Sequence, residues 1–527
     1  MLKKLQSSIA GGAIIIAVFS VISKLLGLIR NRLLASNFGA GDILDTYFAA
    51  FKIPDLIFNI LILGALSASF IPIFVDYWSK NKEETWRMTS SVLNILLISL
   101  IIISAVLFFI APQLMKVIAP GFETAKQVET ANLTRIMLIS VIFFTLSNIV
   151  SGVLNSFRRW LTYSLAPVFY NLGIIFGIIY LAPELGATGL AWGVVIGSLL
   201  HFLVQLPTAY RLGFCFRMVI DWKHPGVKKI FKLMIPRTLG LAVTQINQLV
   251  IVIIASTLLA GSVAVFNFAN DLQSFPISIF GVSLAIAAFP VFSQAFSEND
   301  SAKFTKNFSK TFRRILFLII PTSVIVLLLR AQLVRLILGT GQFDWTDTVL
   351  TARTFGFFAI SLFAQSLIPL LARSFYARQD TKTPVIIGLV SMIINIGLAY
   401  TLSQVLGIAG LGLAFSIASI INMLLLFSVL RRRLGNLGDK QIIKSSLKII
   451  LISLAMAGVI QWLKYLVAPL VDMQTFIGVA WQTLVAGLGG VLIYLMLSLF
   501  FKSEEIEIVR HWLAKFWLII KRDGKNT

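Results

Sequence analysis

The residues best suited to chemistry are charges placed where charge is expensive. Lys24, Arg30, Asp45, Lys52, Asp55, Arg237 and Asp271 all lie inside long apolar runs. A charge held in hydrocarbon is costly, so by default it marks an interior site, a path or a pair. Cations there suit an anionic ligand. Arg offers a planar fork of donors for phosphate oxygens, and Lys a mobile point charge. Arg30 is read as the principal anion contact, with Lys24, Lys52 and Arg237 beside it. Asp271, Asp45 and Asp55 are read as coupling or gating groups, able to pair with those cations, take up a proton or join a cation site. Lys24 and Arg30 are six residues apart, about 120° around a helix, so both can face one broad cavity. Lys52 and Asp55 are spaced i,i+3 and can pair directly.

Plainer readings stand beside these. Lys24, Arg30 and Arg237 can snorkel to an interface, Lys52 and Asp55 can form a buried tie, Asp45 can be solvated surface, and Asp271 can be half of a static pair. Other chemistry finds little support. His201 has no metal-ligand companion and Cys215 is the single cysteine. There is no phosphate-binding Gly-Lys-Ser/Thr loop and no nucleophile elbow. No catalytic residue, metal site or cofactor is expected, and the chain is not read as an enzyme.

The elements that must position these charges are membrane spans. The 527 residues are 58% hydrophobic and only 13% charged, and the mean hydropathy is +0.91. Apolar runs recur that are long enough to cross a bilayer core of about 30 Å. The hydropathy pattern predicts an all-α polytopic membrane protein with about fourteen spans near 8–37, 42–76, 88–112, 132–156, 160–182, 187–209, 230–259, 263–294, 312–336, 352–375, 383–403, 408–430, 447–468 and 477–501. Spans one, two, seven and eight are long and carry Pro or charge, which suggests tilt or breaks. Lys3 and Lys4 precede the first run, which is read as a retained span rather than a cleaved signal. The net charge of +23 would suggest nucleic acid for a soluble domain. Here the basic residues fill alternate loops: Lys80, Lys82 and Arg87, then Arg158 and Arg159, then Arg211 to Lys229, and so on to Arg431–Lys444. Loops 38–41, 183–186 and 404–407 contain no Lys or Arg. That alternation places both termini in the cytoplasm.

The chain also repeats itself at an offset of roughly 218 residues. Phe70-Ile71-Pro72-Ile73-Phe74 matches Ala288-Phe289-Pro290-Val291-Phe292, and Ser156-Phe157 matches Ser374-Phe375. With slight slippage Gly186-Ala187-Thr188-Gly189-Leu190 matches Gly407-Ile408-Ala409-Gly410-Leu411. The expected domains are an N-lobe over 1–221 (spans one to six), a C-lobe over 222–436 (spans seven to twelve), spans thirteen and fourteen over 437–501, and a cytoplasmic amphipathic tail over 502–527. Two such lobes around a midplane site is a common plan for alternating-access transporters.

An ordered set of short motifs carries a family resemblance. Ser23-Lys24-Leu25-Leu26-Gly27-Leu28-Ile29-Arg30-Asn31-Arg32, Phe38-Gly39-Ala40-Gly41, Phe51-Lys52-Ile53-Pro54, Gly64-Ala65-Leu66-Ser67, Phe280-Gly281-Val282 and Asp380-Thr381-Lys382-Thr383-Pro384 together resemble the MurJ (MviN) lipid II flippases of the MOP exporter superfamily. The resemblance implies two six-span lobes, a cationic cavity in which Lys24, Arg30 and Lys52 meet the substrate pyrophosphate, and a groove on the two extra spans for a polyprenyl tail. It implies lipid II as partner, within the membrane lipids of the bacterial cytoplasmic (inner) membrane, coupling to sodium, protons or membrane potential, and cell-wall synthesis proteins as neighbours. Five sites depart from the family pattern. Lys24 replaces an Arg, Asn31 an Asp, Phe58-Asn59 an Arg pair, Leu63 a Glu, and Asn270-Asp271 an Asp-Arg. Those departures leave room for a different polyprenyl-pyrophosphate-linked glycan, or for a non-transporting scaffold. A transferase would need a catalytic cluster that the sequence lacks, and a cationic cavity disfavours export of cationic drugs.

Overall fold

A computed structural model describes residues 9–63 and 65–507, except for the side chains at 9, 10, 13, 61–68, 236, 237 and 239. The expected tail beyond residue 507 therefore lies outside the described residues. Within them the chain is helical and has no strand. Helices α1 (Ile9–Phe38), α2 (Asp42–Ile57), α3 (Ala65–Lys80), α4 (Lys82–Ile118), α5 (Thr124–Ser156), α6 (Trp160–Phe176), α7 (Ala187–Leu203) and the short α8 (Leu206–Arg211) supply the first six spans. Then come α9 (Pro225–Ser256), α10 (Ser262–Pro276), α11 (Ser283–Ser297), α12 (Ser301–Ile337), α13 (Trp345–Ala359), α14 (Leu362–Ala377), α15 (Lys382–Leu406) and α16 (Ile408–Leu434). The last two spans are α17 (Asp439–Val467) and α18 (Phe476–Phe500).

Among the described residues eleven helices are long and apolar enough to cross a membrane, and thirteen if two pairs bent by 48° each count as one span. The fourteenth expected span is α2 and α3, joined through the π-helical turn Phe58–Leu63. Apolar side chains such as Ile102, Phe109, Leu451 and Leu492 are more than half exposed, as they should be where the solvent is lipid rather than water. Spans two, seven and eight are interrupted as expected, by a π-turn at Phe58–Leu63, a bend before Gly240 and a π-turn at Ile277–Val282. Span one is not broken. It has no Pro, and its helix runs unbroken past Lys24 and Arg30.

The chain packs as two compact units, Met1–Asn267 with Leu338–Asp347, and Phe268–Ile337 with Thr348–Thr527. In the first unit α1 packs on α6, α2 on α5, and α6 on α7. The α6–α7 seam is made by glycines at four-residue spacing. A Cβ on Gly173 would fall 2.3 Å from Gly197 Cα, and one on Gly177 would fall 2.4 Å from Gly193 Cα. Such small residues let backbones touch, which is how helices adhere when lipid removes the hydrophobic incentive. His201 is structural here. Its Nδ1 lies 2.6 Å from Ser147 Oγ, and Gln205 bonds Ser147 and Ser151 across the same helices. In the second unit α15 packs on α16, and α12 packs on α17 and α18. Arg313 of α12 binds Glu504 and Glu505, the latter only 5% exposed.

The repeat seen in sequence recurs in geometry. The buried Phe74–Trp86 pair, with ring centroids 5.7 Å apart, has its counterpart in Phe292–Phe304 at 5.1 Å. The π-turns Phe58–Leu63 and Ile277–Val282 interrupt matching spans. Gly186 (φ 57°, ψ −135°) and Gly407 (φ 60°, ψ −141°) make the same turn, in a backbone region that belongs to glycine.

Candidate functional site

Five of the seven candidate charges, Lys24, Arg30, Asp45, Lys52 and Asp55, lie on α1 and α2 of the first unit. Arg30, half-buried, projects from α1 toward α6. Its Nε and Nη2 donate to Asn31 Oδ1 at 3.1 and 2.9 Å, and its Nη1 donates to Asn171 Oδ1 at 3.4 Å. Asn171 is fixed in turn, donating to the Ser23 carbonyl and hydroxyl and to the Pro167 carbonyl. Both of these acceptors, Asn31 and Asn171, are neutral amides, and they orient the planar fork of the guanidinium. Tyr170, beside Asn171, lies within electrostatic range of Arg30, Asp55 and Tyr47.

Lys52, half-buried on α2, donates to Asn267 Oδ1 at 3.1 Å. Asp55 accepts from Asn59 Nδ2 at 2.7 Å. Lys24 is half-buried on α1. Among the expected binding cations, Arg30, Lys24 and Lys52 thus share the first unit. The Arg237 side chain lies outside the described residues. Asp271 sits half-buried on α10 in the second unit, with its backbone carbonyl accepting from Ser274 Oγ.

Asp45 is not the solvated surface group that the plainer reading allowed. It is 1% exposed. Its carboxylate accepts from Gly261 N at 2.7 Å, Ala264 N at 2.9 Å and Lys126 Nζ at 3.2 Å. It therefore caps the start of α10 from a neighbouring helix, where unsatisfied N–H groups and the helix dipole favour an anion. Lys126 also binds Asp42 at 2.5 Å and lies 3.9 Å from the Phe122 ring centroid. Cβ on Gly261 would lie 1.8 Å from the Ala40 carbonyl oxygen, so only glycine lets the 38–41 loop close against this cap.

Sequence reasoning missed Asn171, Asn267 and Lys126 as partners. Lys126 left a signal, because it is a Lys on an expected outer loop, where positive charge is disfavoured and asks for a partner. The amides left none, since an Asn in a span is more often a helix–helix contact.

With this geometry in place, likeness to known proteins carries weight. The sequence profile described as lipid II flippase MurJ matches residues 34–480. The lipid II flippase MurJ of Burkholderia cenocepacia is 30% identical over 453 residues, covering 84% of this chain and 88% of its own. The probable lipid II flippase MurJ of Vibrio cholerae is 31% identical over 426 residues, covering 79% and 81%. A solved lipid II flippase MurJ in an inward closed conformation superposes with a TM-score of 0.78 at 26% identity, covering 93% of this chain and 99% of that one. A multidrug resistance MATE family transporter of the MOP superfamily, inward-facing, superposes at 0.67 and 16% identity over 81% and 99%, which speaks to the fold alone. The chain spans membranes many times and belongs to the lipid II flippase MurJ family.

Proposed function

We propose that this chain translocates lipid II across the bacterial cytoplasmic membrane by alternating access, and that Arg30, with Lys24 and Lys52, binds the substrate pyrophosphate. The observation that supports the site is the Arg30 fork, half-buried in a span and oriented by Asn31 and Asn171 at 2.9–3.4 Å. Charge-assisted bonds to phosphate oxygens are strong in a partly dry site. In this reading residues 1–221 and 222–436 are the moving lobes, spans thirteen and fourteen carry the lipid tail, and both termini lie in the cytoplasm. Arg237 joins the binding set. Asp271 couples transport to sodium, protons or membrane potential, Asp45 and Asp55 act in gating, and cell-wall synthesis proteins are the neighbours.

A second reading, transport of a different polyprenyl-pyrophosphate-linked glycan, rests on one observation: Asp271 stands where the family pattern has Arg. Expression in a strain depleted of its own lipid II flippase separates the two. Rescue of growth with restored lipid II flipping supports the first. Stable membrane expression without rescue overturns it. Orientation has its own test: Glu184→Cys should label with an impermeant thiol reagent in intact cells, and labelling only after lysis contradicts cytoplasmic termini.

A further inference from the structure

Each repeat leaves its fourth span through the same turn. In the first, the N–H of Arg158 reaches the Asn155 carbonyl and that of Arg159 the Leu154 carbonyl. In the second, Gln379 reaches Tyr376 and Asp380 reaches Phe375 by the same three- and five-residue steps. Arg158 and Gln379 share a left-handed backbone, with φ of 56° and 60°. Arg159 and Asp380 are therefore counterparts, and so are Thr162 and Thr383 three residues on, at the offset of 221 that Gly186 and Gly407 share rather than the 218 at which Ser156-Phe157 matches Ser374-Phe375 in sequence.

The chemistry at the two turns is opposite. In the second repeat Asp380 fills the position with a carboxylate. It accepts from Thr383 N at 3.0 Å and Thr383 Oγ1 at 2.6 Å, and it pairs with Arg433 at the end of α16. Arg433 also donates to Thr383 Oγ1 at 2.9 Å. In the first repeat the carboxylate is replaced by Arg159. What remains is a cavity of about 370 Å³ lined by Arg159, Thr162, Thr208 and Arg211, with the two threonine hydroxyls 3.0 Å apart. Among the described residues neither the Arg159 nor the Arg211 side chain has a hydrogen bond or ion pair. Two arginines and two threonines line this cavity, and no carboxylate does.

We propose that this cavity is a binding site for a phosphate-bearing anion, occupying in the first repeat the place that Asp380 occupies in the second. Two guanidinium forks and two hydroxyls match the oxygens of a phosphate group. An anionic phospholipid headgroup and free phosphate share that chemistry. The exposed Tyr210 next to Arg211 is the kind of ring found at the membrane–water boundary, which favours the lipid. Neither arginine belongs to the proposed lipid II site, so this inference stands or falls apart from it.

The test uses the full-length protein in phosphatidylcholine nanodiscs. Melting temperature is measured against added inorganic phosphate, and native mass spectrometry counts phosphatidylglycerol retained after doping. Wild type should be stabilised by phosphate, retain phosphatidylglycerol, or both. Retention without a phosphate effect identifies the lipid, and the reverse identifies free phosphate. Arg159→Gln/Arg211→Gln should weaken binding by about tenfold or more. Arg159→Asp, which installs the second repeat's own solution, should abolish binding while the protein stays folded. Lys228→Gln, a charge loss elsewhere, should change nothing. Absence of binding by wild type, unchanged binding in both arginine variants, or equal weakening by Lys228→Gln would each overturn the proposal.

Discussion

The two repeats solve the same packing problem with different polar chemistry. In the first unit, spans one and two present Lys24, Arg30, Lys52 and Asp55, with Asp45 buried against Lys126. At an offset of 218 residues Lys52 and Asp55 fall on Asn270 and Gln273. There the second unit runs a neutral chain instead. Gln273 donates to Asn270, Gln365 donates to Gln273 and Ser361, and Ser361 lies 2.8 Å from Ser416. Amides and hydroxyls hold helices together at modest cost when each finds a partner. Charges in the same place are dearer to bury and add a field that amides lack. Duplication therefore explains the fold, and the asymmetry of charge points to where an anion is handled.

The largest expected effect is on transport. Arg30→Ala should lower lipid II flipping in proteoliposomes by about two orders of magnitude, since two or more charge-assisted bonds are lost at roughly 1.5–3 kcal/mol each. Arg30→Lys should be intermediate, keeping charge but not the fork. Gln273→Leu in the neutral chain should leave flipping per folded molecule near wild type. Comparable losses for Arg30→Ala and Gln273→Leu would erase the contrast between the units.

Stability should show the contrast next. Asp45→Ala removes a buried carboxylate from two backbone donors and Lys126, and should cost about 3–5 kcal/mol in reversible unfolding. Gln273→Leu should cost about 1–2 kcal/mol, the range for a neutral partner left unsatisfied. Asp271 is the charge that breaks the second unit's neutral pattern. With Asp271→Asn, a coupling role predicts a folded protein whose flipping is lost or no longer follows an imposed ion gradient, and a static pair predicts lower stability with flipping per folded molecule unchanged.

Smaller effects test the equivalence itself. Gly186→Ala and Gly407→Ala meet no neighbour within 4 Å of the added carbon, so only backbone strain is at stake. Each should cost about 1–3 kcal/mol, and by similar amounts. Unequal costs would mean that the turns are not equivalent. Last comes pH. Burial alone would raise the Asp380 carboxyl, but Thr383 and Arg433 together hold it at about 2, below its ordinary 3.8. A carboxyl lowered by folding stabilises the protein above the ordinary value, and that stabilisation is lost as pH falls from about 4 to 2. Asp380→Asn should flatten the acid limb of the stability curve there, as seen in melting temperature against pH.

Much of this was legible in the sequence. Lipid demands that every backbone group be satisfied within its own helix, so hydropathy alone outlined the spans, and alternating basic loops suggested their direction. The repeat could be read because proline, glycine and aromatic residues recur where turns and close contacts need them. Arg30 could be singled out because charge in an apolar run is rare. Its partners could not, because Asn171 and Asn31 reach it through side-chain directions that helical spacing leaves open. Asp45 could not be told from solvated surface for a related reason: its partners Gly261 and Ala264 are backbone donors, and Lys126 is far away in the chain. The glycine seam of α6 and α7 was written plainly, at Gly173, Gly177, Gly189, Gly193 and Gly197, and sets the helix that carries Asn171.

The most direct measurement is the affinity of the purified protein for lipid II, in wild type, Arg30→Ala and Gln273→Leu, by native mass spectrometry in nanodiscs with melting temperature as a check on folding. The charged first unit as anion site predicts about tenfold or greater weakening for Arg30→Ala and a change within about twofold for Gln273→Leu, less than 0.5 kcal/mol. Wild-type affinity in a folded Arg30→Ala protein would contradict it.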